Sequence, residues 1–425
     1  MTAPPRPAEV LVVGAGLAGL ACAGDLLAAG VDVRLVEASD GVGGRMRADR
    51  HEGFTIDRGF QVFNTSYPQV KRRLNLRELR LRPFTPGVRV HTGGRPLRVT
   101  DPTRDPRGGA ALLASRAIGP RDLAAFAALS ARDALAPARL VKRFPDGIGG
   151  EVTTRTALAV AGFSEEWVEL FFRPFLSGVF LEDRLETSGR FFHLVWRSML
   201  RGTLCLPAGG IGAVPRQLAA DLPDGVLRLE TPVDRLTGDG ALLTDGTELP
   251  ARAVVVAAGP ETSARLLPGL AVPAYRTVTT YYHAAGRPPL DEPVLVTDHR
   301  LRFLNSCVLS RVVPGYAPAG QALVATSVLG TDTAGREPEV RAALAEAYGT
   351  DTGGWQVLTV RTVAGALPAM EPPQPLSRST RVAPARYACG DHRATGSVQG
   401  ALASGARAAR EVLRDLRMPG ARPGH

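Results

Sequence analysis

Lysine is nearly absent. The 425-residue chain has it only at Lys71 and Lys142, so its formal charge of +10 is carried by arginine. The arginines are scattered, with one mild cluster at Arg72, Arg73, Arg77, Arg80 and Arg82, and no aromatic residues interleave it as a nucleic-acid platform requires. The expectation is a solvated face and no nucleic-acid partner, with attraction to anionic lipid or an acidic substrate left open. Cysteine is scarce too. Cys22, Cys205, Cys307 and Cys389 are far apart in sequence, form no C-x-x-C pair, and read as reduced, buried thiols. The seven histidines show no metal-ligand spacing, so no metal is expected. No run approaches the roughly eighteen apolar residues of a membrane span, and the opening MTAPPRPAE has no apolar signal core. A cytoplasmic protein is expected, with peripheral membrane contact left open by its charge.

What is present starts at Val10. Val10 to Val13 is an apolar run too short for a helix and bounded by glycine, which predicts a buried strand. Gly14, Ala15, Gly16, Leu17, Ala18 and Gly19 follow as G-x-G-x-x-G, opening a small-residue helix to about Ala29, with Gly30 as its cap. A second strand, Val31 to Val36, ends at Glu37 and Ala38. Gly14 permits the tight turn, Gly16 admits a pyrophosphate against bare backbone, and Gly19 lets helix and strand pack closely. The pyrophosphate would rest on the helix N-terminus, where unpaired N–H groups and the macrodipole favour an anion. Glu37 can accept hydrogen bonds from both hydroxyls of an adenosine ribose and would repel a 2′-phosphate, which argues for FAD or NAD over NADP. The glycine pattern alone is weak; strand, helix, second strand and terminal acid give it meaning.

Gly43, Gly44 and Arg45 come six residues after Glu37, adding a cation to offset a diphosphate. With these residues the chain resembles the FAD-binding flavoprotein superfamily of amine oxidases, protoporphyrinogen oxidases and phytoene-desaturase-like enzymes. The resemblance implies non-covalent FAD and further cofactor contacts at Gly59, Phe60 and Gln61 beside the flavin ring, Val233 at adenine, and Gly259. It also implies a closing motif of Gly390 and Asp391 followed by a small-residue helix, with Ser397, Val398, Gln399 and Ala401 at its N-terminal end. The superfamily's covalent flavin links use a cysteine short of that motif. Cys389 lies within the preceding strand, so no such link is expected. Phe60, Gln61, Phe175, Tyr281, Tyr282 and His392 are the candidates for the substrate pocket, although strand alternation lets only one of the two tyrosines face it.

The expected fold class is α/β: a Rossmann-like FAD-binding domain with an α+β substrate domain made of an antiparallel sheet and a helical insertion. Residues 1–85, 207–272 and 377–425 would build the first, with 86–206 (helical) and 273–376 (mostly sheet) building the second. Within the helical part, Pro120 and Ser164 mark helix starts, and Arg173-Pro174-Phe175 is expected to break a helix. Val226–Leu236, Ala241–Leu243, Glu248–Ala253, Ala253–Gly259, Val278–His283, Val294–Thr297, Phe303–Val312, Leu323–Leu329, Val357–Val363 and Arg386–Cys389 read as strands, with a helix at Glu339–Tyr348.

The function expected is an FAD-dependent oxidoreductase removing hydride from a C–H bond of a hydrophobic small molecule, of isoprenoid or carotenoid type. The resembled amine oxidases carry a lysine on a substrate-domain strand, and here no lysine follows Lys142. That departure weighs against amine oxidation. A flavin amine oxidase and a flavin-dependent isomerase stay as alternatives, followed by an NAD-dependent dehydrogenase and a non-catalytic FAD module. No catalytic base is assigned, and the sequence does not address oligomeric state.

Overall fold

The run expected to be a buried strand is the centre of a sheet in the computed structural model, which describes residues 8–137, 146–147, 150–333 and 335–417. Ala8–Val13 pairs in parallel with Val33–Val36 on one side and with Glu248–Val256 on the other. Leu227–Arg228 and Arg386–Ala388 extend these edges, also in parallel. Both faces of such a sheet must be covered, which explains its unbroken apolar strands. Leu17–Ala28 and the closing helix Val398–Arg417 cover one face, sharing a core with Leu26, Leu35, Val255, Leu402 and Val412. The hairpin Val233–Thr237 and Gly240–Leu243, with helix Pro260–Leu266, covers the other.

Two strand expectations need correction here. Val226–Leu236 is two strands that join different neighbours, separated by the donor-less Pro232. Glu248–Ala253 and Ala253–Gly259 are one strand, Glu248–Val256. Its first half pairs with Gly240–Leu243 and its second half with Arg386–Ala388, so no break is needed between them.

A second sheet has seven strands in the order Gln356–Pro368, Tyr275–Ala285, Ala322–Leu329, Asn305–Val308, Leu295–Asp298, Val88–His91, Leu97–Val99. Every pairing is antiparallel except Leu295–Asp298 with Val88–His91. Phe303–Val312 is shorter than expected as a strand, because Leu309–Val312 turns into helix. Helix Arg336–Tyr348 packs on one face over Tyr281, Val324 and Trp355.

The other face meets the helical region. Helices Pro120–Leu135, Arg173–Phe180 and Gly189–Arg201 share one core with Phe54, Ile56, Tyr282 and Leu323. Phe126, Phe163, Phe171, Phe172, Phe192 and Trp196 are in mutual ring contact, with centroids 4.7–6.4 Å apart. Ser164 caps its helix, as read from sequence, its hydroxyl accepting the Trp167 N–H at 3.2 Å. Pro174 does not break the chain there. A π-helical turn at Val168–Phe172 leads directly into Arg173–Phe180, and the widened turn relieves the clash that proline would make with the carbonyl four residues back.

Candidate active site

Each glycine of the first turn meets a different surrounding. Gly14 has φ +105°, and a Cβ there would lie 2.8 Å from the Ala257 carbonyl oxygen. At Gly19 a Cβ would collide with the Gly14 carbonyl, whereas at Gly16 it would meet nothing within 4 Å. Gly16 therefore borders open space, and Gly44 (φ +56°) closes over it, its notional Cβ 3.8 Å from the Gly16 Cα. No side chain caps the N-terminus of Leu17–Ala28, and its first turn holds no acid. Bare N–H groups, an unopposed dipole and absent side chains together make a cradle for a diphosphate.

Glu37 stands beside this cradle. Its Oε2 accepts the Ala15 N–H at 2.8 Å, and its Oε1 accepts the Ser39 N–H at 3.0 Å and hydroxyl at 2.8 Å. The Glu37 backbone bonds to Arg228 and Thr231, which brings the start of Val233–Thr237 to the same edge. Ala38 and Gly259 are exposed there, and Val233 is buried.

Arg45 spans the chain. Its Nη2 donates to Asp391 Oδ2 at 2.7 Å and its Nη1 to the Ala366 carbonyl at 2.7 Å. Asp391 also accepts the Tyr275 hydroxyl at 3.2 Å, and the Arg45 guanidinium lies 5.8 Å from the centre of the Tyr275 ring. The Gly-Gly-Arg turn, the start of the antiparallel sheet and the Gly-Asp motif thus converge on one carboxylate. Gly390 donates its N–H to Ser404 at 3.1 Å, and a Cβ on it would sit 2.7 Å from the His392 ring. The Ser397 hydroxyl caps the closing helix, accepting the Gly400 N–H at 3.0 Å. Gln399 accepts the Gln69 N–H at 2.9 Å, and Ser397, Val398, Gln399 and Ala401 are all partly exposed.

Asp57 is a third junction. It ends the buried strand Phe54–Asp57 and is 1% exposed. Its carboxylate accepts the Ile211 N–H and the Tyr316 hydroxyl, each at 3.1 Å, and its carbonyl accepts the Tyr282 hydroxyl at 2.7 Å. Among the described residues no cation pairs with it, and burial pushes its carboxyl up to about 7 against the pull of those two donors. Gly59 (φ +92°) then turns the chain so that Phe60 and Gln61 follow, partly exposed. The Gln61 side-chain amide donates to the Arg45 carbonyl at 2.8 Å, tying this turn to the Gly-Gly-Arg loop.

The substrate-pocket candidates divide. Tyr282 faces Asp57, while alternation turns Tyr281 to the opposite face, where it bonds Asp332 under helix Arg336–Tyr348; Tyr281 is thus outside the site. Phe175 is partly exposed and stacks on Phe171 at 5.7 Å, in the same cluster as Phe60, Val62 and Val179. His392 is 2% exposed with its Nε2 unbonded, and burial lowers its pKa to about 4 despite neighbouring Asp391. It is a buried neutral ring, not a surface histidine. Cys389 is fully buried and shares a core with Cys22 on the helix side of the sheet. Among the described residues no metal-binding cluster occurs, and no helix is long and apolar enough to cross a membrane. The sequence reading missed Tyr275, Tyr316 and Ile211, because nothing local marks residues that act by meeting a distant carboxylate.

The chain has relatives among known proteins. The chain belongs to the family of flavin-containing amine oxidoreductases, whose sequence profile matches residues 17–413. It is similar to the coproporphyrinogen III oxidase of Propionibacterium freudenreichii, at 29% identity over 310 residues covering 61% of this chain and 58% of that one. It is also similar to the zeta-carotene-forming phytoene desaturase of Myxococcus xanthus, at 37% over 97 residues (21% and 19% of the two chains). The L-amino-acid oxidase of Crotalus adamanteus matches at 36% over 85 residues, which is 20% of this chain and 16% of that one. The chain spans less than two thirds of each of these relatives. In fold it is similar to the cyclohexylamine oxidase of Brevibacterium oxydans, with a TM-score of 0.70 at 18% identity, covering 97% and 100% of the two chains. An oxidoreductase of Methanosarcina mazei gives a TM-score of 0.70 at 18% identity, covering 95% and 99%.

Proposed function

We propose that this chain binds FAD without a covalent bond and removes hydride from a C–H bond of a hydrophobic small molecule. The observation that carries the reading is the meeting of Arg45, Asp391 and Tyr275 over residues far apart in sequence, beside a cradle that only glycine leaves open. Gly14, Gly16, Gly19 and Gly44 would receive the diphosphate, Glu37 the ribose, and Asp391 with the N-terminus of the closing helix the far end of the cofactor. When bound, FAD supplies the hydride acceptor. The protein positions the substrate and excludes water. Phe60, Val62, Phe175 and Val179, partly buried against one apolar core, supply the lining for an uncharged substrate. The absence of lysine after Lys142 supports a desaturase-like or dehydrogenase-like reaction over amine oxidation. A non-covalent flavin is supported by Cys389, which is fully buried in the core that also holds Cys22. The division into a cofactor domain (1–85, 207–272, 377–425) and a substrate domain (86–206, 273–376) is part of this reading, and the two sheets support it.

Anaerobic mixing of the yellow protein with panels of carotenoids, porphyrinogens and amines tests the substrate class. The expected result is bleaching of the flavin by an apolar isoprenoid. Bleaching by amines alone would overturn the hydrophobic assignment.

A further inference from the structure

A cavity of about 590 Å³ lies away from the glycine cradle, on the sheet face opposite Leu17–Ala28. Strand Val233–Thr237, the end of helix Pro260–Leu266 with the turn after it, and the segment Arg381–Arg386 line it, and it opens to solvent. One wall is apolar, formed by Leu236, Leu266, Leu267 and Leu270. The other presents three guanidinium groups, Arg381, Arg386 and Arg393, and no acid is among the lining residues.

The nearby carboxylates, Glu411 and Asp415, are shared with other donors. Glu411 accepts the Thr380 N–H and hydroxyl and the Arg381 N–H at 2.7–3.0 Å. Asp415 accepts the Tyr387 hydroxyl at 2.5 Å and also pairs with the half-exposed Arg381 at 3.5 Å. Arg386 is spent on the carbonyls of Thr237, Gly238 and Ala385. Arg393 is only 9% exposed, donates to the Ser379 carbonyl, and leaves its buried Nε without an acceptor. Burial and neighbouring Arg378 and Arg407 weaken its hold on its proton, with Glu411 opposing them. A buried cation with an unmet donor, among like charges and beside an apolar wall, is stabilised by an anion with an apolar body. The volume falls within the roughly 300–1,000 Å³ of small-molecule sites.

We infer that this cavity binds an amphiphilic organic anion, a carboxylate or phosphate head on Arg393 and Arg381 with a short hydrocarbon body against Leu266, Leu267 and Leu270. The cavity shares the turn Asp391–Arg393 with the proposed cofactor site but none of that site's other residues, and its occupancy does not depend on that reading.

Calorimetric titration of the full-length chain with decanoate, decyl phosphate, decan-1-ol and inorganic phosphate tests it. The expected result is saturable binding of decanoate, decyl phosphate or both, with decan-1-ol and inorganic phosphate weaker by about tenfold or more. Whichever head binds identifies the anion class. R393Q and the more exposed R381Q should each weaken that binding by about tenfold, with the far-UV spectrum and melting temperature of R381Q unchanged. Equal binding of decan-1-ol and decanoate, undiminished affinity in a folded R381Q and R393Q, or no binding of either anion would overturn the assignment.

Discussion

Asp57 and His392 are buried with opposite consequences for acid and base. The Asp57 carboxyl is raised from 3.8 to about 7, so between those values the folded chain keeps a proton that the unfolded chain has lost. Its contribution is present in acid and is lost as pH rises through that window, by about 1.4 kcal/mol per pH unit. His392 is lowered from 6.5 to about 4, so its contribution is present above pH 6.5 and is lost as pH falls toward 4. The two slopes oppose each other over their shared range. We therefore expect melting temperature against pH to fall more steeply toward acid in Asp57→Asn, and to decline from pH 4 to 7 in His392→Gln. Profiles of both variants running parallel to the wild type would contradict the assignment of those protons. The sequence marked where Asp57 and His392 fall, next to Gly59 and Gly390. It could not show their protonation, which depends on how deeply the fold buries each group.

Elements were legible where their own residues decide them. Val10–Val13, the glycine turn and the small-residue helices follow from apolar runs and missing side chains, and Gly30 ends its helix in the left-handed region at φ +80°. Elements decided by partners were not. The single strand Glu248–Val256 serves two neighbours in succession, and Pro174 is accommodated by a π turn that no local rule announces. The contact between the first and last helices gives a sharp test. A Cβ at Gly405 would collide with the Ala18 carbonyl, so Gly405→Ala should push the helices apart and cost about 1–3 kcal/mol. Gly24 lies in the same first helix with nothing within 4 Å of a Cβ, so Gly24→Ala should stabilise by about 0.5–1 kcal/mol. Chemical denaturation of the two variants measures both signs. Loss of stability at both positions would show that helix propensity, not packing, had been misjudged.

Over the whole molecule, the chain's two ends build one site. The strand–turn–helix at the N-terminus forms the cradle, and the Gly-Asp turn and closing helix come back to it through the Arg45–Asp391 pair, with Tyr275 adding the second sheet. The resemblance to FAD-binding flavoproteins implied that convergence, whereas the aromatic cluster gave composition without revealing which rings face a substrate. Arg45→Ala would leave Asp391, 7% exposed, without its cation and should weaken flavin retention by about tenfold. The most direct test is the visible spectrum of the purified chain before and after denaturation. The expected result is a yellow protein whose colour passes entirely into the supernatant as FAD, with less bound in Arg45→Ala. A colourless chain that takes up no added FAD, or a flavin that stays with the precipitated polypeptide, would contradict it.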